Sequence, residues 1–340
     1  SVRDFDIVTY DRVKRIYIEE DFAAWKEYAY HAQIHGAILA YLEIKKKNFY
    51  SIVSDVDGKR FVTARGWEDL SVVMKVYEQQ GLPINYDFVV QYLQDPEIAR
   101  DFAVYYELYQ KYNQIYRIPE LLEGEFPEDV LAIQNAPFDE KLSLIGLLLD
   151  ALSQEFVTYA RWENAQKEFL AQLGYLRIDL KEGKGSAKEL LERQSESHET
   201  MTAHRKKANL LSREELRTAH DLQKAFDACI RLVTEAGSGD ARSDFGLVKQ
   251  YFDEQENLRQ TQIADTGRHL SNAFDFLSRV FGEGQELVIF LSELSAGYYS
   301  LKFVSECGNE DYYKYNRLLL LKDRGEELTQ EVMRILALDD

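Results

Sequence analysis

Arg65 is the residue whose type and position most directly indicate binding of an anion. It lies in the stretch Phe61-Val-Thr-Ala-Arg-Gly-Trp-Glu-Asp-Leu-Ser71, and a helix predicted to begin at Ala64 places it at the helix N-terminus. The helix dipole makes this end partially positive, so a lone cation is expected there only where an anion approaches it. The sequence therefore predicts that Arg65 meets a negatively charged group.

The motifs that complete the common catalytic sites do not occur in the sequence. The phosphate-binding pattern G-x-x-x-x-G-K-[ST] is missing, as are H-E-x-x-H, G-x-S-x-G and C-x-x-C. Gly183-Lys-Gly-Ser186 has suitable residue types, but too few residues separate its glycines and no strand is predicted before it. We therefore expect no complete catalytic site within this chain.

Histidines and glutamates on predicted helices raise the question of a metal site. The group comprises His198, His204, His220, Glu196, Glu199 and Glu214. Six residues separate His198 from His204, and this spacing does not place both on one helix face. His31 and His35 are four residues apart but have no suitably spaced carboxylate. The sequence favours polar surface for these residues and predicts no metal site.

Aromatic residues between Phe102 and Tyr116 recur at three- and four-residue steps. A platform for stacked bases would need basic residues between them, whereas acidic residues such as Asp101 and Glu107 surround this run. The pattern therefore predicts core packing. A second cluster, from Tyr298 to Tyr315, predicts packing or a partner interface.

The composition is that of an acidic globular protein. Its 340 residues are 45% hydrophobic and 29% charged, with a formal net charge of −18, so nucleic acid and membrane are not expected as partners. No stretch reaches the roughly 18 apolar residues of a membrane-spanning helix. Two distant cysteines, Cys229 and Cys307, fit a reducing cytoplasm. The start at Ser1, without an initiator Met or a signal pattern, predicts a processed or truncated beginning.

Apolar residues recur mostly at helical spacing and only five prolines occur, so the fold is predicted to be mainly α. Minor β structure is expected near the N-terminus, as a strand at Val13–Ile18 and a hairpin closed by Asp57-Gly58. Helices are predicted at about Phe22–Gln33, Gly36–Lys45, Ala64–Gln80, Asn85–Asp95, Pro96–Tyr112, Asp139–Leu173, Ser186–Asn209, Ser212–Ala236, Asp244–Phe281, Glu286–Glu306 and Gln330–Leu336. Ser212-Arg-Glu-Glu215 has the pattern of a capping box. Asn135-Ala-Pro137 predicts a domain junction, and the long helices beyond it are typical of a helical bundle.

Two stretches, in this order, resemble the C-terminal part of MoxR-type AAA+ ATPases. The first is Asp6-Ile-Val-Thr-Tyr-Asp-Arg-Val-Lys-Arg-Ile16, in which Asp11-Arg12 is similar to the end of the family's L-D-R-[FV] block. Tyr10 stands where Leu is commoner. The second, Thr63–Ser71, is similar to the T-x-R-x-W-E-x-L-S block that opens the family's lid helix. The resemblance continues through Asn85–Tyr116, whose pattern is similar to the rest of that lid.

The resemblance covers about Ser1–Leu122 and implies roles for two arginines. Arg65 would be the sensor 2 residue that approaches the γ-phosphate, and Arg12 the arginine finger that reaches the nucleotide of a neighbouring subunit. ATP and Mg²⁺ would be the cofactors of the full-length protein, with the Walker A and B segments upstream of Ser1. The chain alone would then be inactive.

The resemblance also implies architecture and partners. Residues 1–20 would be a remnant of the AAA+ core, 21–135 a helical lid domain and 136–340 a C-terminal helical bundle. Members of the family form rings, remodel other proteins at the expense of ATP, and often act with proteins that carry a von Willebrand factor A domain. A homo-oligomeric ring and a protein client are therefore the expected partners.

Two other hypotheses remain open. The chain could be a self-contained helical protein-interaction scaffold with no nucleotide role, in which Arg65 pairs with an acidic neighbour such as Glu68 or Asp69. A metal enzyme that uses His198, His204 and His220 is the third reading, and it predicts stoichiometric metal in the purified protein.

Overall fold

The computed structural model describes residues 19–55, 58–126 and 130–318. The predicted strand Val13–Ile18 and the predicted helix Gln330–Leu336 lie outside these residues, as does Arg12. The described chain divides into two compact units, one ending at Leu108 and the other beginning at Tyr109. The predicted domain boundaries after residues 20 and 135 stay predictions.

The first unit combines helices with one antiparallel strand pair. Its elements are α1 (Phe22–His31), α2 (Gly36–Ile44), a 3-10 turn (Lys46–Asn48), β1 (Ser51–Asp55), β2 (Gly58–Val62), α3 (Ala64–Gln79), α4 (Tyr86–Val89) and the first part of α5 (Pro96–Tyr116). Ser51 of β1 lies opposite Val62 of β2. The predicted hairpin is thereby confirmed, although Val56 and Asp57 of its turn lie outside the described residues.

The second unit is a bundle of mostly long helices. After the end of α5 come α6 (Ile118–Leu122), α7 (Val130–Gln134), α8 (Phe138–Lys181), α9 (Ala187–Lys207), α10 (Arg213–Ala236), α11 (Ala241–Phe281), α12 (Gln285–Ala296) and α13 (Tyr298–Cys307), and residues 310–318 are helical. The prediction of a mainly α fold with minor β structure is confirmed, and so is the helical bundle.

Helices α8 and α11 run antiparallel along much of their length. His269 of α11 hydrogen-bonds to Glu155 of α8, Arg259 pairs with Glu163, and the ring of Phe252 lies 6.1 Å from that of Phe169. Residue numbers thus fall along α11 as they rise along α8. These two helices form the frame on which the other helices of the second unit pack.

One buried cluster joins the C-terminal half of α8 to α9, α10 and the start of α11. Its members are mainly leucines and phenylalanines: Phe169, Leu173, Leu176, Ala187, Leu190, Leu191, Leu222, Phe226, Cys229, Val233 and Val248. Helices α9 and α10 both begin with capping boxes, at Ser186 with Glu189 and at Ser212 with Glu215. The second box confirms the pattern seen in the sequence.

Three predicted helices are wrong in extent. The helix predicted to end at Leu173 continues to Lys181 as α8. The segment predicted as Glu286–Glu306 is broken at Gly297, where α12 and α13 meet at an angle of 88°. The buried Ser300 hydroxyl donates to the carbonyls of Leu294 and Gly297 at this bend, and a Cβ at Gly297 would lie 2.4 Å from that hydroxyl. The bend therefore depends on a residue without a side chain.

The helix predicted from Asn85 to Asp95 is short, because α4 ends at Val89. The backbone N–H of Phe61 donates to the carbonyl of Gln94 at 3.1 Å, so this part of the chain forms a bridge to β2. The Asp95 carboxylate then caps α5 by accepting hydrogen bonds from the N–H groups of Glu97 and Ile98. Both interactions favour a non-helical backbone before Pro96.

By length and composition, α8 is the single described helix that could cross a membrane, and the bent pair α12 and α13 would qualify if it formed one span. Half of the qualifying window in α8 is buried inside the protein. Such burial is typical of the core helix of a helical bundle.

The aromatic run of α5 is also buried, since Phe102, Tyr106, Tyr109 and Tyr116 are each at most 6% exposed, which confirms the predicted core packing.

Candidate functional site

The candidate site lies at the N-terminus of α3, where β2 leads directly into the helix. Thr63 has extended backbone angles, and its hydroxyl accepts a hydrogen bond from the N–H of Gly66 at 3.3 Å. Threonine is a preferred N-cap because its side chain satisfies an N–H group that the helix leaves unpaired. Thr63 therefore sets where α3 begins and places Arg65 in its first turn.

Gly66 allows the start of α3 to pack closely on the segment after α4. A Cβ at this position would lie 2.9 Å from the carbonyl oxygen of Tyr92, closer than such atoms normally approach. A larger residue would force the two segments apart. The glycine of this stretch is thus explained by packing.

Trp67 and Leu70 hold α3 in the core of the first unit, and both are fully buried. The indole N–H of Trp67 points at the carbonyl oxygens of Asn48 and Phe49, at 3.3 and 3.2 Å. Its ring lies 5.2 Å from that of Phe102 in an edge-on arrangement. Buried tryptophan with a satisfied N–H is a large source of packing energy. These two residues fix the orientation of the helix.

Glu68 and Ser71 connect α3 to the two preceding helices. The Tyr28 hydroxyl of α1 donates to Glu68 at 3.0 Å. The backbone N–H of His35, just before α2, donates to the Ser71 hydroxyl at 2.8 Å. Each of these polar side chains therefore has a structural partner in a neighbouring element.

Arg65 differs from its neighbours because its side chain is 88% exposed. Its Nε lies 3.6 Å from the carboxylate of Asp69, which is itself 57% exposed. Exposed pairs of this kind contribute about 0.2–1 kcal/mol, and salt screens them. The guanidinium is therefore accessible to another anion, and displacing Asp69 costs little.

Of the two predicted site residues, Arg65 and Arg12, only Arg65 lies within the described residues. Arg65 lies at the start of α3, as the sequence predicts, and is exposed. Arg12 is outside the described residues, so only one of the two has a described position. Their roles at a nucleotide stay predictions.

His35 corrects the expectation of a polar surface. It is 4% exposed, its Nδ1 accepts a hydrogen bond from the N–H of Ala37 at 3.1 Å, and its Nε2 lies 3.0 Å from Glu78. His35 thus caps α2 from a buried position. No local sequence pattern indicates this, because Glu78 is distant along the chain and histidine is an uncommon N-cap.

His198, one of the histidines considered for a metal site, has other contacts. His198 Nε2 lies 2.9 Å from the carbonyl oxygen of Ala219, and its ring packs 5.9 Å from that of Phe226. Across residues 19–55, 58–126 and 130–318, no group of three or more His, Cys, Asp or Glu side chains is placed to hold a metal ion.

A cluster of charged residues that the sequence did not reveal joins α6 to α8 and α11. Nδ1 of His269 lies 2.8 Å from Glu155, and its Nε2 lies 3.1 Å from Glu123, which also pairs with Arg268. Hydrogen bonds from Arg268 and His269 hold the pKa of Glu123 below its ordinary value. More than a hundred residues separate Glu123 from His269 in the sequence, and no local pattern links them.

No protein-family model, curated protein or solved structure matches the chain.

Proposed function

We propose that this chain is the lid and C-terminal helical region of a MoxR-type AAA+ ATPase, and that Arg65 is its sensor 2 residue. In the full-length protein it would serve ATP-dependent remodelling of a client protein in the cytoplasm. The chain alone, without Walker A and B motifs, would not hydrolyse ATP.

One observation carries the proposal: within the stretch Thr63–Ser71, no contact that stabilises the fold explains why position 65 is an arginine. Thr63 caps the helix, Trp67 and Leu70 fill the core, and Ser71 accepts a buried hydrogen bond. Among the described residues, the exposed guanidinium of Arg65 makes one weak ion pair, with Asp69. A cation at a helix N-terminus is disfavoured by the dipole, so its presence is best explained by an anion that approaches the site.

The chemistry expected of Arg65 is stabilisation of charge on a phosphoryl group. A guanidinium presents several N–H donors in one plane and can hold two phosphate oxygens at once. Negative charge on the γ-phosphoryl oxygens during transfer would be stabilised by this contact. Arg12 is proposed to make the equivalent contact in a neighbouring subunit of a homo-oligomeric ring.

ATP and Mg²⁺ would be held mainly by residues outside this chain, and the lid would carry Arg65 to them. A client protein, or a partner with a von Willebrand factor A domain, belongs to the same proposal. Because Trp67 and Leu70 anchor α3 rigidly in the first unit, a movement of this unit would move Arg65 with it.

A second candidate function is a helical protein-interaction scaffold without a nucleotide. The ion pair between Arg65 and Asp69, four residues apart on α3, favours it, because such pairs are common on solvated helix faces. In that case the guanidinium has no ligand beyond Asp69.

The coding sequence that precedes Ser1 distinguishes the two candidates. A G-x-x-x-x-G-K-[ST] motif roughly 150 to 200 residues upstream supports the ATPase, and a start codon at or near Ser1 supports the scaffold. A second test uses the purified chain, which is expected to show no ATP turnover. Reproducible turnover that Arg65→Ala abolishes would contradict the proposed division of the active site.

A further inference from the structure

A groove of about 740 Å³ lies between the C-terminal part of α8 and the N-terminal part of α11. Its lining residues come from 170–181 of α8 and 241–253 of α11. It belongs wholly to the second unit. It is bounded by two long helices and is partly open to solvent.

The floor of the groove is the edge of the buried cluster of α8 to α11. Leu173 is buried there, while Leu180, Phe245 and Phe252 are only partly buried against the cluster. Leu170, on the rim, is 55% exposed. Partly buried apolar side chains at the edge of a core can pack against apolar side chains of a partner.

The dimensions of the groove match one helix. Leu170, Gly174, Arg177 and Lys181 follow one another along α8 at steps of three or four residues, so they form a stripe. At 1.5 Å per residue this stripe is about 16 Å long, which is three helical turns. A Cβ added at Gly174 would meet no atom within 4 Å. A third helix could therefore lie against α8 and α11 and approach closely at Gly174.

The rim of the groove is positively charged, although the chain as a whole carries −18. Four cationic residues line it: Arg177, Lys181, Arg242 and Lys249. The single acidic lining residue, Asp253, lies 3.8 Å from Lys249. Asp240, next to the groove, is the nearest counter-charge of Arg242, whose positive charge helps to lower the pKa of that carboxyl. The groove therefore combines an apolar floor with a lining in which four cationic residues outnumber one carboxylate.

We propose that this groove binds an acidic amphipathic α-helix of a partner protein. Leucine-type side chains of the partner, spaced i, i+4, i+7 and i+11, would pack on Leu173, Phe245 and Phe252. Aspartate and glutamate on the flanks of the same helix would face Arg177 and Arg242. Binding of an amphipathic helix in an apolar groove, through side chains at this spacing, is a general mode of recognition. The positive charge around the groove favours a partner helix with negative charge.

The test uses the purified chain and two fluorescein-labelled helical peptides of 18 residues. Both carry leucine at the four spaced positions; one has glutamate on the flanks and the other has lysine. Fluorescence anisotropy is expected to show saturable binding of the acidic peptide that weakens with added salt. The basic peptide is expected to bind at least about tenfold more weakly. Equal binding of the two peptides, or no saturable binding, would overturn the proposal.

Variants of the chain locate the binding. The double variant Arg177→Glu with Arg242→Glu is expected to weaken binding of the acidic peptide about tenfold or more and to strengthen binding of the basic one. Leu170→Glu should also weaken binding, and because Leu170 is exposed the helical content should not change. Arg217→Glu, an exposed cation of α10 outside the groove, is the matched control. An equal loss in the control would refute the assignment to the groove.

Two other occupants are outcomes of the same series. Sedimentation equilibrium detects a second copy: a dimer of the unaltered chain that Leu170→Glu dissociates would make the groove a self-interface. Cosedimentation with phosphatidylserine vesicles detects an anionic bilayer. Vesicle binding that the double charge variant abolishes, without saturable peptide binding, would assign the groove to lipid. Either result would overturn the proposal of an acidic helix.

Discussion

The hydroxyl of Ser71 accepts a hydrogen bond from the backbone N–H of His35 at 2.8 Å, with both residues at most 4% exposed. This contact ties the middle of α3 to the start of α2. The Nδ1 of His35 in turn accepts from the N–H of Ala37. The helix that carries Arg65 is therefore fixed by buried polar contacts as well as by Trp67.

Removal of the Ser71 hydroxyl should destabilise the first unit. Ser71→Ala leaves the buried N–H of His35 without its acceptor, which typically costs about 1–3 kcal/mol. Urea unfolding followed by circular dichroism measures the change. Ser54→Ala, in an exposed position of β1, is the control and should change stability by less than about 0.5 kcal/mol. Equal effects of the two substitutions would show that the buried hydrogen bond does not matter.

Asp101 should contribute stability that disappears in acid. Burial alone would raise the pKa of Asp101, but hydrogen bonds from Lys45 and Tyr41 hold it below its usual value of 3.8. A carboxyl whose pKa is lowered on folding stabilises the fold above its unfolded pKa, and this stabilisation is lost as pH falls through the folded pKa.

The unaltered chain should therefore melt at a higher temperature than Asp101→Asn at pH 6 to 7. The difference should shrink as the pH falls below about 3.8. Asp87→Asn, an exposed carboxylate of α4, serves as the control. A difference that stays constant or grows in acid would contradict the role assigned to Lys45 and Tyr41.

The capping box of α10 offers a test of helix ends in the bundle. The Ser212 hydroxyl accepts from the N–H of Glu215 at 3.1 Å, and Glu215 accepts from the N–H of Ser212 at 2.7 Å. Ser212→Ala should cost about 1 kcal/mol, whereas Ser212→Gly should cost a few tenths of that, because glycine is a tolerated N-cap. Thermal unfolding of the two variants gives the comparison. An alanine variant as stable as the glycine variant would argue against the box.

Cys229 should be unreactive while the protein is folded. Burial raises the pKa of the Cys229 thiol to about 12, and Cys229 is fully buried in the cluster of α8 to α11. Cys307 is partly buried and its pKa is also raised by burial. With Ellman's reagent at pH 8, Cys307→Ser protein should release almost no colour until it is unfolded, since the thiolate is the reactive form. Rapid reaction of Cys229 in the folded variant would contradict its burial.

Local sequence patterns predict most helices and the hairpin, whereas features that depend on contacts between distant residues are not predictable from them. Ser212 and Glu215 predict the N-terminus of α10, because both residues of the capping box lie within four positions of the sequence. The bend at Gly297 was missed because glycine within an apolar helical pattern does not by itself end a helix. Its cause is the buried Ser300 hydroxyl, which is apparent only in three dimensions.

At the candidate site, too, local sequence predicts one feature and distant contacts determine another. The sequence placed Arg65 at a helix start, and the structure agrees. The sequence could not show that Trp67 is fully buried while Arg65, two residues away, is 88% exposed, because the contacts of Trp67 come from Asn48, Phe49 and Phe102. The burial of His35 depends on such distant partners too.

The proposed action of Arg65 on a phosphoryl group is tested most directly by ATP turnover of the full-length protein that contains this chain. Arg65→Ala should lower turnover about 10²-fold or more, since loss of one charge-stabilising donor typically has this effect. Asp69→Ala and Arg100→Ala, an exposed arginine of the same unit, should leave turnover within about twofold, an effect below 0.5 kcal/mol. Turnover that Arg65→Ala leaves unchanged, or a full-length protein that neither binds nor hydrolyses ATP, would contradict the account.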